Sequence, residues 1–464
     1  MRNPWLRGWF IVVGLTISSL SAYADKIDDY LKAQMEKRHI PGVSVAVVQD
    51  GKVVKAQGYG LANVELSVAA TESTVYELAS VTKQFTATGV MMLVEEGKLK
   101  LEDKITKLLP NLPPTWEGVT VKHLLNHTSG IKSYTSLPNF EKTLRKDFTK
   151  EELLKLILDA PLEFKPGEKW NYNNTGFFLL GMLIEKVSGK SYGEFLKERI
   201  FQPLGMTSTR VNSFQEIIKN RATGYTWAGT ELHTAEYVSP TQPFSAGALV
   251  STVQDMAKWD AALATTQLLK KSSLEQMWTA TKLNDGKNAD YGFGWAVETS
   301  HGHRLVQHGG GINGFSTQIS RYRDDKLTLI VLTNSDNGNA GALAQGMAAL
   351  YIPALAVAAE KPIEDKDAAL TAKLKGVLLK AREGKADAEL FTPEAQKELL
   401  PRIKEAKELF SSLGALKTFT LTGQKVEGKG KQLRYKAAFE KQSLAVSFFL
   451  TEDGKIGGIG VQQE

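Results

Sequence analysis

The stretch YELASVTKQFTATGVMMLVEEGKL, Tyr76 to Leu99, places a serine three residues before a lysine at the head of an apolar run. From Val81, the apolar residues Val81, Phe85, Val90, Met91, Leu93 and Val94 recur without an intervening proline, which predicts a helix with Ser80 in its first turn. Residues i and i+3 of a helix share a face, so Lys83 is expected beside the Ser80 hydroxyl. A helix start also offers free backbone N–H groups to developing negative charge, and its positive end disfavours an ammonium, which suits Lys83 to act as a base. The bland alternative is an N-cap serine followed by a solvated lysine.

The chain carries its own control, because Ser-x-x-Lys occurs twice. The second copy, Ser129 with Lys132, lies in NHTSGIKSYTSLPN, where Gly130 and the Ser, Thr, Pro and Asn content predict a loop, so spacing does not translate into proximity. Two further clusters support the first copy. A single Tyr-x-Asn, Tyr172 and Asn174, stands just before the apolar helix pattern of NYNNTGFFLLGMLIEKVSG. A single His-x-Gly, His308 and Gly310 in QHGGGINGF, ends a predicted strand, with glycines that let a ligand approach the backbone closely.

With these motifs in this order, the chain resembles the serine β-lactamase and penicillin-binding-protein superfamily, in its branch of class C β-lactamases, D,D-carboxypeptidases, D-aminopeptidases and related esterases. The resemblance runs from about Asp25 to Ala358 and includes LLNHTSG, PLGMTST and SAGALVSTVQDMAKW. It implies an α+β fold (an α/β sandwich) with an antiparallel sheet flanked by helices and a helical subdomain. It also implies that Ser80 is a nucleophile forming an acyl-enzyme, that Lys83 and Tyr172 share the proton as general base and then acid, and that the N–H groups of Ser80 and Gly311 form an oxyanion hole. Asn174 would bond the substrate's acyl amide or hold Lys83. His308 would contact a substrate carboxylate or relay a proton to Tyr172. Ser80 Oγ is therefore expected within hydrogen-bond reach of both Lys83 and Tyr172.

The chain departs from the β-lactamases of this branch at His308, where they carry lysine. A neutral imidazole is a weaker and pH-dependent partner for a carboxylate, so the expected activity shifts toward a peptidase, amidase or esterase, with D-amino-acid-containing cell-wall peptides as one candidate substrate class. A class C type β-lactamase, or a non-catalytic penicillin-binding sensor on the same fold, is the alternative.

Chain order removes several decoys. Ser335 to Asn337 spell the SDN motif of another branch, but they follow the His-x-Gly strand in the loop TNSDNGNAG and read as turn chemistry. HGGG, His308 to Gly311, matches an oxyanion motif that should precede a Gly-x-Ser-x-Gly elbow, and none follows it. His123 and His127 have the spacing of a zinc pair, yet Leu124 replaces the glutamate that motif needs; helix-surface or capping roles are expected, and no metal or other cofactor is predicted.

The rest of the 464 residues bounds the setting. Arg2 and Arg7 precede the apolar run WFIVVGLTISSL, and small residues end at Ala24, the pattern of a secretory signal peptide over residues 1–24. Twelve apolar residues fall short of the roughly 20 that span a bilayer, so no stable membrane anchor is expected. The chain has no cysteine, which leaves no disulfide and no lipid-attachment site and points to a periplasmic or secreted protein. Its net charge of +6 is too mild to argue for nucleic acid, and a small molecule or peptide is the expected partner; no oligomeric state follows.

GVSVAVVQDGKVVKAQGYG predicts a hairpin about Asp50-Gly51; RLVQHGGG, GFSTQISRYRDD and KLTLIVLTN predict three more strands; AGALAQGMAALYIPALAVAA predicts a closing helix. Residues 25–362 are thus expected to form the hydrolase domain. After Pro362 the text turns Lys/Glu-rich and helical, and then alternating, which predicts a small α+β domain over residues 363–464; it carries no motif with an assignable chemistry, and the sequence does not choose among covering the cleft, mediating dimers and contacting the cell wall.

Overall fold

A computed structural model gives the structure of residues 26–356, 362–427, 430–440 and 442–463, and the leader expected over residues 1–24 lies outside them. The chain divides into two compact units, one up to Ala356 and one from Val357.

In the first unit, strands β1 (Gly42–Gln49) and β2 (Lys52–Asn63) form the hairpin. Asp50 and Gly51 both take positive φ, 51° and 74°, as the tight turn matching right-handed strand twist requires. With β3 (Val68–Ala69), β4 (Ala296–Ser300), β5 (His303–Ile312), β6 (Phe315–Tyr322) and β7 (Leu327–Thr333) they make a seven-stranded antiparallel sheet in the order β4-β5-β6-β7-β1-β2-β3. The strands from the two ends of the unit meet at its centre, where Val43 pairs with Thr333 and Gln49 with Leu327.

Both faces of this centre are covered, and so β1 reads as a nearly continuous apolar run. Val43, Val45 and Val47 pack with Leu329 and Val331 against helix α1 (26–38) and the C-terminal helix of the unit. Ala46, Val48, Ile330 and Leu332 join the larger core on the other face. That core is built on α2 (Thr82–Glu95), α3 (Asn174–Ser188) and α4 (Val253–Leu263). Every residue of α2 from Thr82 to Leu93 is buried, so its polar side chains must find partners inside the protein.

The closing helix, α5 (Ala340–Tyr351), is shorter than its apolar pattern predicts. Pro353 cannot donate to a continuing helix and pushes the preceding Ile352 to extended backbone (φ −120°, ψ 90°), so the chain turns into a 3-10 segment, Pro353–Leu355.

The second unit has helices α6 (Ala368–Arg382) and α7 (Pro393–Glu405), followed by a four-stranded antiparallel sheet of β8 (Leu416–Glu427), β9 (Gly430–Phe439), β10 (Ser443–Leu450) and β11 (Ile456–Gln463) in sequential order. Leu374, Val377 and Leu378 of α6 share a core with Phe391, Tyr435 and Phe448.

Candidate active site

Ser80 lies in a 3-10 turn, Ala79–Val81, that leads directly into α2. The turn starts from Ala79 in the left-handed region (φ 46°), a conformation that costs a residue with a Cβ about 1 kcal/mol or more. Its neighbour is pinned from both sides: the Leu78 N–H donates to the Leu249 carbonyl (2.8 Å), and the Thr317 hydroxyl donates to the Leu78 carbonyl (2.8 Å). The surrounding sheet thus holds the serine on a bent segment rather than within a regular helix.

Lys83 follows one turn later, fully buried. Its Nζ lies 3.1 Å from Ser80 Oγ, 2.9 Å from Asn174 Oδ1 and 2.8 Å from the Ala246 carbonyl. Burial holds the amine well below the ordinary lysine range. A neutral amine has two hydrogens and one lone pair. In that form Asn174 Oδ1 and the Ala246 carbonyl, which can only accept, would take the two hydrogens and leave the lone pair for the Ser80 O–H. Of the two expectations for Asn174, the geometry realises the contact with Lys83.

Asn174 is the first residue of α3, and the preceding Asn173 anchors that helix: its side chain accepts from the Gly176 N–H (2.7 Å), and its own N–H donates to His127 Nδ1 (3.1 Å). Tyr172 is placed just ahead, with its ring centroid 4.7 Å from Lys83 Nζ. Burial raises the phenol above its ordinary range while Ser80, the neighbour acting on its hydroxyl, pulls the other way. The approach to Ser80 falls short of a hydrogen bond, and the Tyr172 hydroxyl is buried without a partner. One of the two contacts expected of Ser80 is therefore formed and the other is not, in keeping with catalytic hydrogen bonds that tighten only around substrate.

His308 differs most from expectation. Its Nε2 is 2.8 Å from the hydroxyl of Tyr291 and its Nδ1 2.7 Å from the Gly309 carbonyl. It is 6% exposed, and burial, with the charge of Lys83 as a lesser cause, drives its pKa down to about 3. The imidazole is thus neutral throughout the physiological range, and its two nitrogens are engaged by Tyr291 and the Gly309 carbonyl.

Gly310 on β5 faces the nucleophile turn. A Cβ there would stand 2.2 Å from the Leu78 carbonyl, 2.4 Å from Thr317 Oγ1 and 3.1 Å from Ser80 N, whereas a Cβ at Gly311 would meet nothing within 4 Å. Gly310→Ala is therefore expected to push β5 off the turn and lower kcat about a hundredfold, the usual cost of an ångström's misplacement, with the sheet still folded; steady-state kinetics with a circular dichroism control checks this.

Ser80, Asn174 and Gly311 open on a cavity of about 190 Å³, whose other walls include Tyr134, Phe140 and Ile312; no charged side chain lines it. The residues that sequence reading missed are the Ala246 carbonyl, Tyr291 and His127. His127, expected at a helix surface or cap, is instead buried with φ 61°, its ring 4.4 Å from that of Tyr172 and 4.6 Å from that of Tyr291. No local periodicity marks these positions, because His127 and Tyr291 come from loops and Ala246 from the four-residue helix Phe244–Gly247, all brought in by tertiary packing.

The decoys resolve as local structure. Ser129 lies in a buried loop and its hydroxyl accepts from the Ile131 N–H, with no bond to Lys132. Asp336 of SDN accepts from the Thr226 hydroxyl and the Gly314 N–H in the turn before α5. His123 closes a capping box with Thr120. A Gly-x-Ser-x-Gly that precedes HGGG, Gly189 to Gly193, is a helix-to-helix turn in which Ser191 caps the second helix.

A bent nucleophile turn, an adjacent buried lysine and a glycine strand edge define a serine hydrolase fold of the β-lactamase and transpeptidase type. The sequence model of the Beta-lactamase family matches residues 27–352, and the chain belongs to that family. It is 35% identical over 319 residues to penicillin-binding protein 4* of Bacillus subtilis (strain 168), covering 65% of this chain and 69% of that protein. It is 30% identical to protein flp of Staphylococcus aureus (strain N315), covering 67% of this chain but only 62% of the relative.

Among solved structures, the octameric penicillin-binding protein homologue from Pyrococcus abyssi superposes with a TM-score of 0.64 at 28% identity, over 95% of this chain and 98% of that one, so the likeness extends into the second unit. D-amino acid amidase from Ochrobactrum anthropi SV3, solved with L-phenylalanine amide, gives a TM-score of 0.61 at 28% identity, over 73% of this chain and 97% of the amidase.

Proposed function

We propose that the protein is an exported serine hydrolase that cleaves amide or ester bonds through an acyl-enzyme on Ser80. The observation that carries this is the fully buried Lys83 amine, fixed by Asn174 Oδ1 and the Ala246 carbonyl with Ser80 Oγ 3.1 Å away. Lys83 removes the serine proton as Oγ attacks the carbonyl, and the Ser80 and Gly311 N–H groups hold the oxyanion. The bond to the leaving group then breaks as Tyr172 supplies its proton, and the Lys83 proton restores the phenol. Water then enters and gives a proton to Lys83 as its oxygen attacks the acyl carbonyl; the C–Oγ bond breaks as Lys83 returns that proton to Oγ, which releases the acid and restores Ser80 and the amine.

The cavity at Ser80, with no charged side chain in its walls, favours substrates whose acyl part has an apolar side group and no carboxylate, such as short-chain esters or the amides of apolar amino acids. The amidase relative supports the second class, and D-amino-acid-containing peptides remain within it. Among the described residues no helix is long and apolar enough to cross a membrane; the export reading rests on the pattern of residues 1–24.

A panel of p-nitrophenyl esters, D- and L-phenylalanine amides and a chromogenic cephalosporin tests the proposal. The esters or amides should show the higher kcat/KM, with the cephalosporin at least about tenfold behind because its carboxylate lacks a charged partner in the cavity. A preference for the cephalosporin would overturn the substrate reading.

A further inference from the structure

Tyr291 belongs to none of the three motifs, yet its hydroxyl controls one of them. The Gly309 carbonyl can only accept, so His308 Nδ1, 2.7 Å away, carries the ring hydrogen and Nε2 presents a lone pair. That lone pair is taken by the Tyr291 hydroxyl at 2.8 Å. The Tyr172 ring lies 6.2 Å from the His308 ring and 6.5 Å from that of Tyr291, and its hydroxyl has no partner. A buried donor without an acceptor is costly, and a free imidazole nitrogen in the same cluster would be a strong one.

We propose that Tyr291 is a positioning residue which, by occupying His308 Nε2, keeps the Tyr172 proton uncommitted and available to the leaving group. The proposal rests on the acyl-enzyme reading and adds to it a division of labour among the two tyrosines and the histidine. The other ionisable groups facing the imidazole or its cavity include Lys83 from α2, His127 from the loop after the short helix Val121–Leu125, Tyr172 ahead of α3, Asp290 beside Tyr291, and Glu298 of β4 and Tyr322 of β6. Burial lowers the pKa of both Lys83 and His127, and among the described residues the group bonded to His308 Nε2 is the Tyr291 hydroxyl.

The consequence is a dependence on the leaving group. p-Nitrophenolate departs unaided, whereas phenoxide and especially ethoxide need a proton as the C–O bond breaks. With Tyr291→Phe in the full chain, the Tyr172 hydroxyl turns to the freed Nε2. The kcat/KM for ethyl butyrate should fall at least roughly tenfold, that for phenyl butyrate less, and that for p-nitrophenyl butyrate by no more than about threefold. Equal losses on all three esters, the mark of a merely structural role, or no loss on any, would overturn the proposal.

A second measurement does not depend on the Tyr291→Phe variant. Nitrogen NMR of the imidazoles, with His308 assigned from a His308→Asn spectrum, should show an Nδ1–H ring that does not titrate between about pH 5 and 8. An Nε2–H tautomer, or a titration in that window, also overturns it. Ser80→Ala separates the two levels: if that variant keeps wild-type activity, the acyl-enzyme reading itself is wrong. If it is inactive and the ester series responds uniformly to Tyr291→Phe, only the role of Tyr291 is lost.

Discussion

Replacing Ser80 by alanine is expected to lower kcat at least about 10⁴-fold on every substrate the protein hydrolyses, because removing a nucleophile leaves only what the oxyanion donors and binding contribute. The fold should survive, since the substitution removes one partly exposed hydroxyl whose bonded partner is the Lys83 amine. Intact-mass spectrometry gives a second readout. A slowly deacylating ester should add one acyl mass to the wild type and none to Ser80→Ala. Label on the variant, or turnover within tenfold of wild type, would place the nucleophile elsewhere.

Replacing Lys83 by methionine should cost about 10²- to 10⁴-fold in kcat/KM, the range for a general base, and should also change how stability responds to pH. The folded-state pKa of Lys83 lies well below the unfolded value, so between the two pKa values the unfolded chain binds a proton that the native state does not. Stability therefore rises with pH across that window. Below the folded pKa the penalty of burying the amine is present in full, and above about pH 10.4 it is gone.

Relative to Lys83→Met, the wild type should gain about 1.4 kcal/mol per pH unit within the window, measurable by urea unfolding at several pH values. Its kcat/KM should rise with pH through the lowered Lys83 pKa. A pH-independent difference in stability would mean that Lys83 is charged in the native protein, and the base would have to be another group.

The contact of Ser80 with Lys83 was legible because its geometry is local: a spacing of three at a helix entrance is enough to predict that the two touch. The β1–β2 hairpin was legible for the same reason, through Asp50-Gly51 and its flanking alternation. What could not be read was the burial of α2 on all sides. Its polar residues Gln84, Thr86 and Thr88 look like a solvent face, yet Thr86 bonds the Ser245 carbonyl and the Tyr192 hydroxyl in the interior. His308 was identified as a motif residue, but its state depends on Tyr291, seventeen positions earlier in a loop, and no pattern in the chain links the two. The limit on α5 was legible in principle, since Pro353 interrupts an otherwise helical run.

The central pairing of β1 with β7 has a consequence for how the chain can be cut and joined. Neither strand has its neighbour until the polypeptide is complete through Thr333, so a fragment ending earlier leaves the middle of the sheet as an open edge. Conversely, the two ends of the unit lie side by side: α1 and α5 share one core, and the Tyr30 hydroxyl donates to the Ala342 carbonyl. A circular permutant of this unit, with its old termini joined by a short linker and new ones opened at Asp50-Gly51, keeps every strand pair of the sheet. It makes the β1–β7 closure local and in return turns the β1–β2 hairpin into the closure across the length of the unit.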